Sequence, residues 1–409
     1  MFAVAWVFLV CAVVIGLLLR MHAVTPLSGF HYGNFLHAHS HVAFLGWVFN
    51  AFFALALRFF VSERDGPFFN RLFWVMQVAV LGMLVAYPIQ GYGRWSIAAS
   101  GLHMLCSGVF AWKLWRGNVA QGEAGRYLRT ALLFMVVSGV GPLALGPLAA
   151  GGLRDSPWYT LAIYFYLHCQ YNGWFIFFLQ AVLLQRVSEP VRRERARKAW
   201  GWLVVGAVLT FALAALWTAP PAWVRAIAVA GGVSQCVGAG YFFKSILGET
   251  DGVTGSWSGV SRLLAATAAG AYATKVVVQW MAAFPVFSGL ALQRPVAIGF
   301  LHLVFLGIVI PLVVGLAVEQ GWIKPGVRLR VALVPYFFGA GLTEWLLGYP
   351  ALAGILGIPG AGLEVGSGLA VAAGAMVVGV WLLRPAFKRE SAADDCGVIV
   401  YHGARHDDR

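Results

Sequence analysis

The chain has 409 residues, of which 60% are hydrophobic and 11% charged, with a formal net charge of +13. So few charges cannot cover the surface of a soluble protein of this length, which excludes a soluble globular domain. The positive charge then reads as basic loops beside a membrane rather than as a nucleic-acid surface, so lipid is the expected partner and nucleic acid is not.

Apolar runs of roughly 20 residues, the length that crosses a ~30 Å hydrocarbon core, recur from end to end. The alternating ~10-residue segments of a β-barrel are absent. The expected fold is an all-α polytopic membrane protein with twelve transmembrane helices, at 2–20, 36–58, 71–90, 95–116, 128–150, 158–185, 199–217, 222–246, 263–287, 296–318, 329–349 and 363–384. Residues 1–390 form one domain, and 391–409 a flexible cytoplasmic tail carrying His402 and His406. The first run lacks a basic leader and a small-residue cleavage site, so it reads as a retained helix. Asp65-Gly66-Pro67, Ser188-Glu189-Pro190 and Pro220-Pro221 punctuate the loops. Pro142 and Pro147 predict a kink in the fifth helix. The cysteines, Cys11, Cys106, Cys169, Cys236 and Cys396, show no paired spacing, so neither disulfides nor a zinc ribbon is indicated.

Lys and Arg gather in alternate loops, as at Arg192, Arg193, Arg195, Arg197 and Lys198, while the other loops hold Arg20, Arg94, Arg154, Arg225 and Arg294. The positive-inside rule places both termini in the cytoplasm of a multi-pass protein, here expected in a bacterial inner membrane. Helices two, four, six and ten then run inward. Their histidines, His103 on helix four with His41, His168 and His302, fall within roughly the first ten residues of each, at about 1.5 Å per residue in the outer half of the membrane.

Three of those histidines share a context. His41-Val-Ala-Phe-Leu-Gly-Trp, His168-Cys-Gln-Tyr-Asn-Gly-Trp and His302-Leu-Val-Phe-Leu-Gly-Ile each place an aromatic three residues on, at Phe44, Tyr171 and Phe305, and glycine five on, at Gly46, Gly173 and Gly307. The repetition points to an internal repeat and a shared site. Neutral imidazole is a usual axial ligand for iron. His41 and His302, with Phe44 and Phe305 packed against a flat ring, suit one b-type haem held on both sides, while Gly46 and Gly307 admit a neighbouring helix or a porphyrin edge. The other reading is of polar side chains joining helices by hydrogen bonds.

His37 and His41 are four apart and share a face, whereas His39 points elsewhere; His37 or His39 can flank the cofactor or take a second metal. His168, among Tyr166, Gln170 and Asn172, and His103 are candidate copper ligands or members of a hydrogen-bonded seam. Lys275 lies mid-span with Tyr272 and Gln279 on its face, a candidate for proton entry or a haem propionate, and Glu344 could pair with it or with Arg94.

With these residues placed, the chain resembles subunit I of the haem–copper oxidase superfamily, whose twelve helices form three four-helix arcs about a pseudo-threefold axis. In that family helix two supplies a low-spin haem ligand, helix six a copper ligand and helix ten further haem ligands, and His41, His168 and His302 match by helix number. The Leu36-His37-Ala38-His39 stretch is also similar to the opening of NnrS-type haem- and copper-containing membrane proteins linked to nitric-oxide stress. The chain departs from oxidases in having no His in 199–217, a single His302 on helix ten and no His-Pro-Glu on helix six. The resemblance implies a haem protein with a depleted copper site, passing electrons from a donor protein or quinol or handling nitric oxide or oxygen, with no catalytic residue assigned. A proton- or metal-coupled transporter using the intramembrane His, Lys and Glu residues is the competing expectation.

Overall fold

The computed structural model describes residues 1–117, 122–247, 253–291, 293–357 and 365–384; the expected tail, with His402 and His406, lies outside them. Among the described residues there is no strand. The long helices are α1 (Phe2–Val24), α2 (Tyr32–Phe60), α3 (Gly66–Gln90), α4 (Arg94–Arg116) and α5 (Glu123–Ala150). Next, α6 runs unbroken through Pro157–His168, Cys169–Trp174 and Phe175–Leu184. The remainder are α7 (Pro190–Thr218), α8 (Ala222–Ile246), α9 (Gly259–Met281), α10 (Arg294–Glu319), α11 (Val327–Leu356) and α12 (Val365–Leu382).

Among the described residues ten helices are long and apolar enough to cross a membrane, or eleven if α9 and the short helix Pro285–Ala291 count as one span. The chain is therefore a multi-pass helical membrane protein. Against the expected spans, α6 is not among the ten, because Gln170, Asn172 and Gln180 dilute its apolar character. The ninth helix was expected to run to 287 but ends at Met281, and the chain turns by 114° into Pro285–Ala291. Pro285 has no N–H and cannot continue the α9 ladder. The basic run from Pro190 is the first turns of α7 rather than a loop. In α5 the break falls at Gly139, three residues before Pro142.

Outward faces are apolar, as on α3, where Val78, Val85 and Ile89 are exposed, the arrangement lipid tails cover. Burial singles out the centre. In α2 and α10, 72% and 78% of the most apolar stretch is buried, against 28–50% in the other eight. Every residue of α6 from Phe175 to Leu184 is buried too. α1 packs on α2 and also meets α12, so the first and last described helices are neighbours in the bundle.

Candidate functional site

All three central helices loosen into a π-helical turn directly after the repeated histidine: Val42–Val48 after His41, Cys169–Trp174 after His168, and Leu303–Val309 after His302. The N–H groups of Phe49, Phe175 and Ile310 donate to carbonyls five residues back, at Phe44, Gln170 and Phe305. Such turns are rare and cluster at functional sites. Beyond each turn the helix is solidly packed, whereas the histidine half is not. His39, His41 and His302 lie deep in the protein yet keep some accessible surface.

The floor of that region is a triangle of rings. Phe44 meets Phe305 at 4.7 Å and Phe175 at 5.5 Å, and Phe175 meets Phe305 at 5.6 Å. On α6 the contributor is Phe175 and not Tyr171, which instead faces Phe300 at 5.6 Å. Residues four apart share a helix face, so α6 enters the cluster one turn later than the motif suggests. The motif glycines serve helix packing. A methyl at Gly46 would lie 3.0 Å from Phe8 on α1 and from Val80 on α3, one at Gly307 2.8 Å from Ala271 on α9, and one at Gly173 2.2 Å from the Phe134 ring on α5.

The histidines of α2 divide between two neighbours. His41 donates from Nδ1 to the His37 carbonyl at 2.9 Å, which leaves Nε2 to accept from the Tyr87 hydroxyl of α3, also at 2.9 Å. Tyr87 in turn contacts Ser100 of α4 at 2.9 Å. His37 packs on the Tyr92 ring at 4.5 Å. His39 faces the other way and donates from Nδ1 to the Ala12 carbonyl of α1 at 2.9 Å. Among the described residues its Nε2 has no hydrogen-bond partner. His302 lies within electrostatic range of His39 and of Arg20 of α1, and its Nδ1 is buried, facing the Ile298 carbonyl of its own helix without a well-formed hydrogen bond. His103 is edge-on to Phe49 at 5.0 Å, shares Nδ1 with Ser107 at 3.2 Å, and has a buried, unpartnered Nε2.

His168 belongs to a different network. Its Nε2 donates to the Ala207 carbonyl of α7 at 2.7 Å, and its Nδ1 accepts from Asn172 at 3.1 Å. The Asn172 carbonyl oxygen accepts from the Lys275 ammonium, which also reaches Gln235 at 3.4 Å. Gln235 continues to Thr210 at 3.2 Å. Lys275 is only 2% exposed, and its amine is met by side-chain amides of α6 and α8 rather than by a carboxylate. Glu344 is not that partner: it lies beside Gly299 on α10 with one buried oxygen unpartnered. Arg94 packs over Trp95 instead.

Among the described residues no group of three or more His, Cys, Asp or Glu side chains is placed to hold one metal ion. Pairs of imidazoles do stand within electrostatic range of each other: His39 with His302, His41 with His103, and His37 with His41. Tyr87, Arg20 and Gln235 were not apparent as site residues in the sequence, where Arg20 reads as a loop charge. The chain matches no protein-family model and none of the curated proteins.

Proposed function

We propose that the protein is a membrane haem protein that passes electrons, with one b-type haem held between His39 of α2 and His302 of α10. The observation that carries this reading is the state of these two imidazoles. His39 is anchored through Nδ1 on a backbone carbonyl and presents an unengaged Nε2, the arrangement in which histidines bind metals. His302 holds its Nδ1 toward the Ile298 carbonyl without a well-formed hydrogen bond, which leaves that nitrogen poorly satisfied unless a ligand engages the imidazole. His41 has the same anchor but its second nitrogen is taken up by Tyr87, so in this reading it supports the site from beside it.

With His39 and His302 holding it, a haem would supply one-electron chemistry. The chain's own contribution is to orient the imidazoles, through Ala12 for His39, and to keep the region apolar with the Phe44, Phe175 and Phe305 rings below. Copper at His168 is no part of the proposal, since both of its nitrogens are engaged by protein groups. Counting α6 and the bent α9 with the ten apolar helices gives twelve spans, and the central position of every fourth helix supports an oxidase-like pseudo-threefold arrangement. The basic helix ends support a bacterial inner-membrane protein with both termini in the cytoplasm.

The test is visible absorbance of the purified protein together with haem analysis of a pyridine extract. Wild type should carry one haem per chain. His39→Ala and His302→Ala should lose or shift its Soret band, and the exposed His31→Ala should not. A protein without haem would instead favour proton-coupled transport, for which the buried Lys275–Asn172–His168 chain is the supporting observation.

A further inference from the structure

One face of α1 is built around His39. The Ala12 carbonyl accepts its Nδ1 proton at 2.9 Å, and Gly16, one turn on, leaves room for the ring: a methyl there would lie 3.1 Å from its Cε1. Arg20 is one turn further along the same face, four residues from Gly16. It is the only charged side chain in α1. The guanidinium is half-buried and makes no hydrogen bond or ion pair among the described residues. It stands within electrostatic range of both His39 and His302.

A half-buried guanidinium without an anion is costly, and Arg differs from Lys in offering a planar fork that matches a carboxylate. The Ala12–Gly16–Arg20 stripe would hold the first imidazole with its carbonyl, make space with its glycine, and present the cation beyond the ring edge. We infer that Arg20 binds a carboxylate of the ligand seated between His39 and His302, fixing which edge of that ligand points along α1. This assignment rests on the haem reading above and adds the group's orientation and its acidic class to it. Arg20 is thus a binding residue for the carboxylate and a positioning residue for the iron.

The experiment titrates haem-depleted full-length protein, in detergent, with protohaem and separately with its dimethyl ester, which keeps the ring and iron but lacks the carboxylates. Wild type should prefer the free acid about tenfold or more, the scale of a charge-assisted hydrogen bond. Arg20→Gln should bind both forms equally and keep the bis-imidazole spectrum, and Arg20→Lys should recover part of the preference. Equal binding of both forms by wild type, or a preference that survives in Arg20→Gln, overturns the assignment while leaving the haem reading intact; it would mean that Arg20 reaches lipid headgroups. If neither form binds wild type, the haem reading itself falls and this inference with it.

Discussion

The Tyr87 hydroxyl donates to Nε2 of His41 at 2.9 Å, across the α3–α2 interface. Because His41 gives its Nδ1 proton to the His37 carbonyl, the phenol is the group that satisfies the other nitrogen. Tyr87→Phe should therefore leave a buried acceptor unpaired and cost about 1–3 kcal/mol of stability. Thermal denaturation in detergent measures this. Haem content should be unchanged, because His39 and His302 keep their surroundings; loss of haem in Tyr87→Phe would make His41 the ligand and displace His39 from the proposal.

Gly173 is the tightest of the three motif glycines, with the Phe134 ring where a side chain would begin. Gly173→Ala should destabilise by at least ~1–3 kcal/mol, the range for an overfilled core. Combining it with Phe134→Leu should restore part of the loss. Gly33→Ala, in open space, should change nothing. Melting temperatures of the three variants and wild type decide the matter.

Asn50 and Gln77 exchange hydrogen bonds at 2.8 and 3.2 Å between α2 and α3, both fully or nearly buried. A double-mutant cycle with Asn50→Ala and Gln77→Ala should give a coupling of about 0.6–1.7 kcal/mol, the scale for such pairs in membrane proteins. A coupling near zero would show that each amide finds another partner, for which Gln77 has the Phe73 carbonyl at 2.7 Å.

Asn172 bridges His168 and Lys275, so removing it strands two groups at once. Asn172→Ala should cost on the order of 3 kcal/mol, and more than Lys275→Met, which removes the cation together with its need for a partner. Denaturant or thermal titration of the two variants gives the order, and a larger loss in Lys275→Met would contradict it.

Much of the helical layout was legible because apolar runs and loop breakers carry it, and the repeated His–aromatic–Gly spacing marks the three π-turns in the sequence. What the turns do was not legible: the same residues suit an ordinary α-helix, and only the five-residue hydrogen bonds at Phe49, Phe175 and Ile310 distinguish them. The pairing of His39 with α1 was hidden for a similar reason. Spacing separates His39 from His37 and His41, but it does not say that Ala12 and Gly16 stand opposite. Tyr87 was hidden by its setting near a helix end, where an aromatic usually meets lipid headgroups. The end of α9 at Met281 was missed because Ala282, Ala283 and Phe284 are apolar and read as continued span, although Pro285 follows them.

Each π-turn also acts as a fixed rotation between the two halves of its helix. An α-helix advances by ~100° per residue, so the residue that each wide turn absorbs sets which way the histidine half faces while the packed half stays seated. Deleting one residue from Val42–Val48 would let α2 close into a regular spiral and swing His37, His39 and His41 together by about a quarter turn. His39 would then leave the Ala12 carbonyl, although no histidine had been changed. The aim of the imidazoles is thus encoded below them, in the count of residues between the site and its anchor.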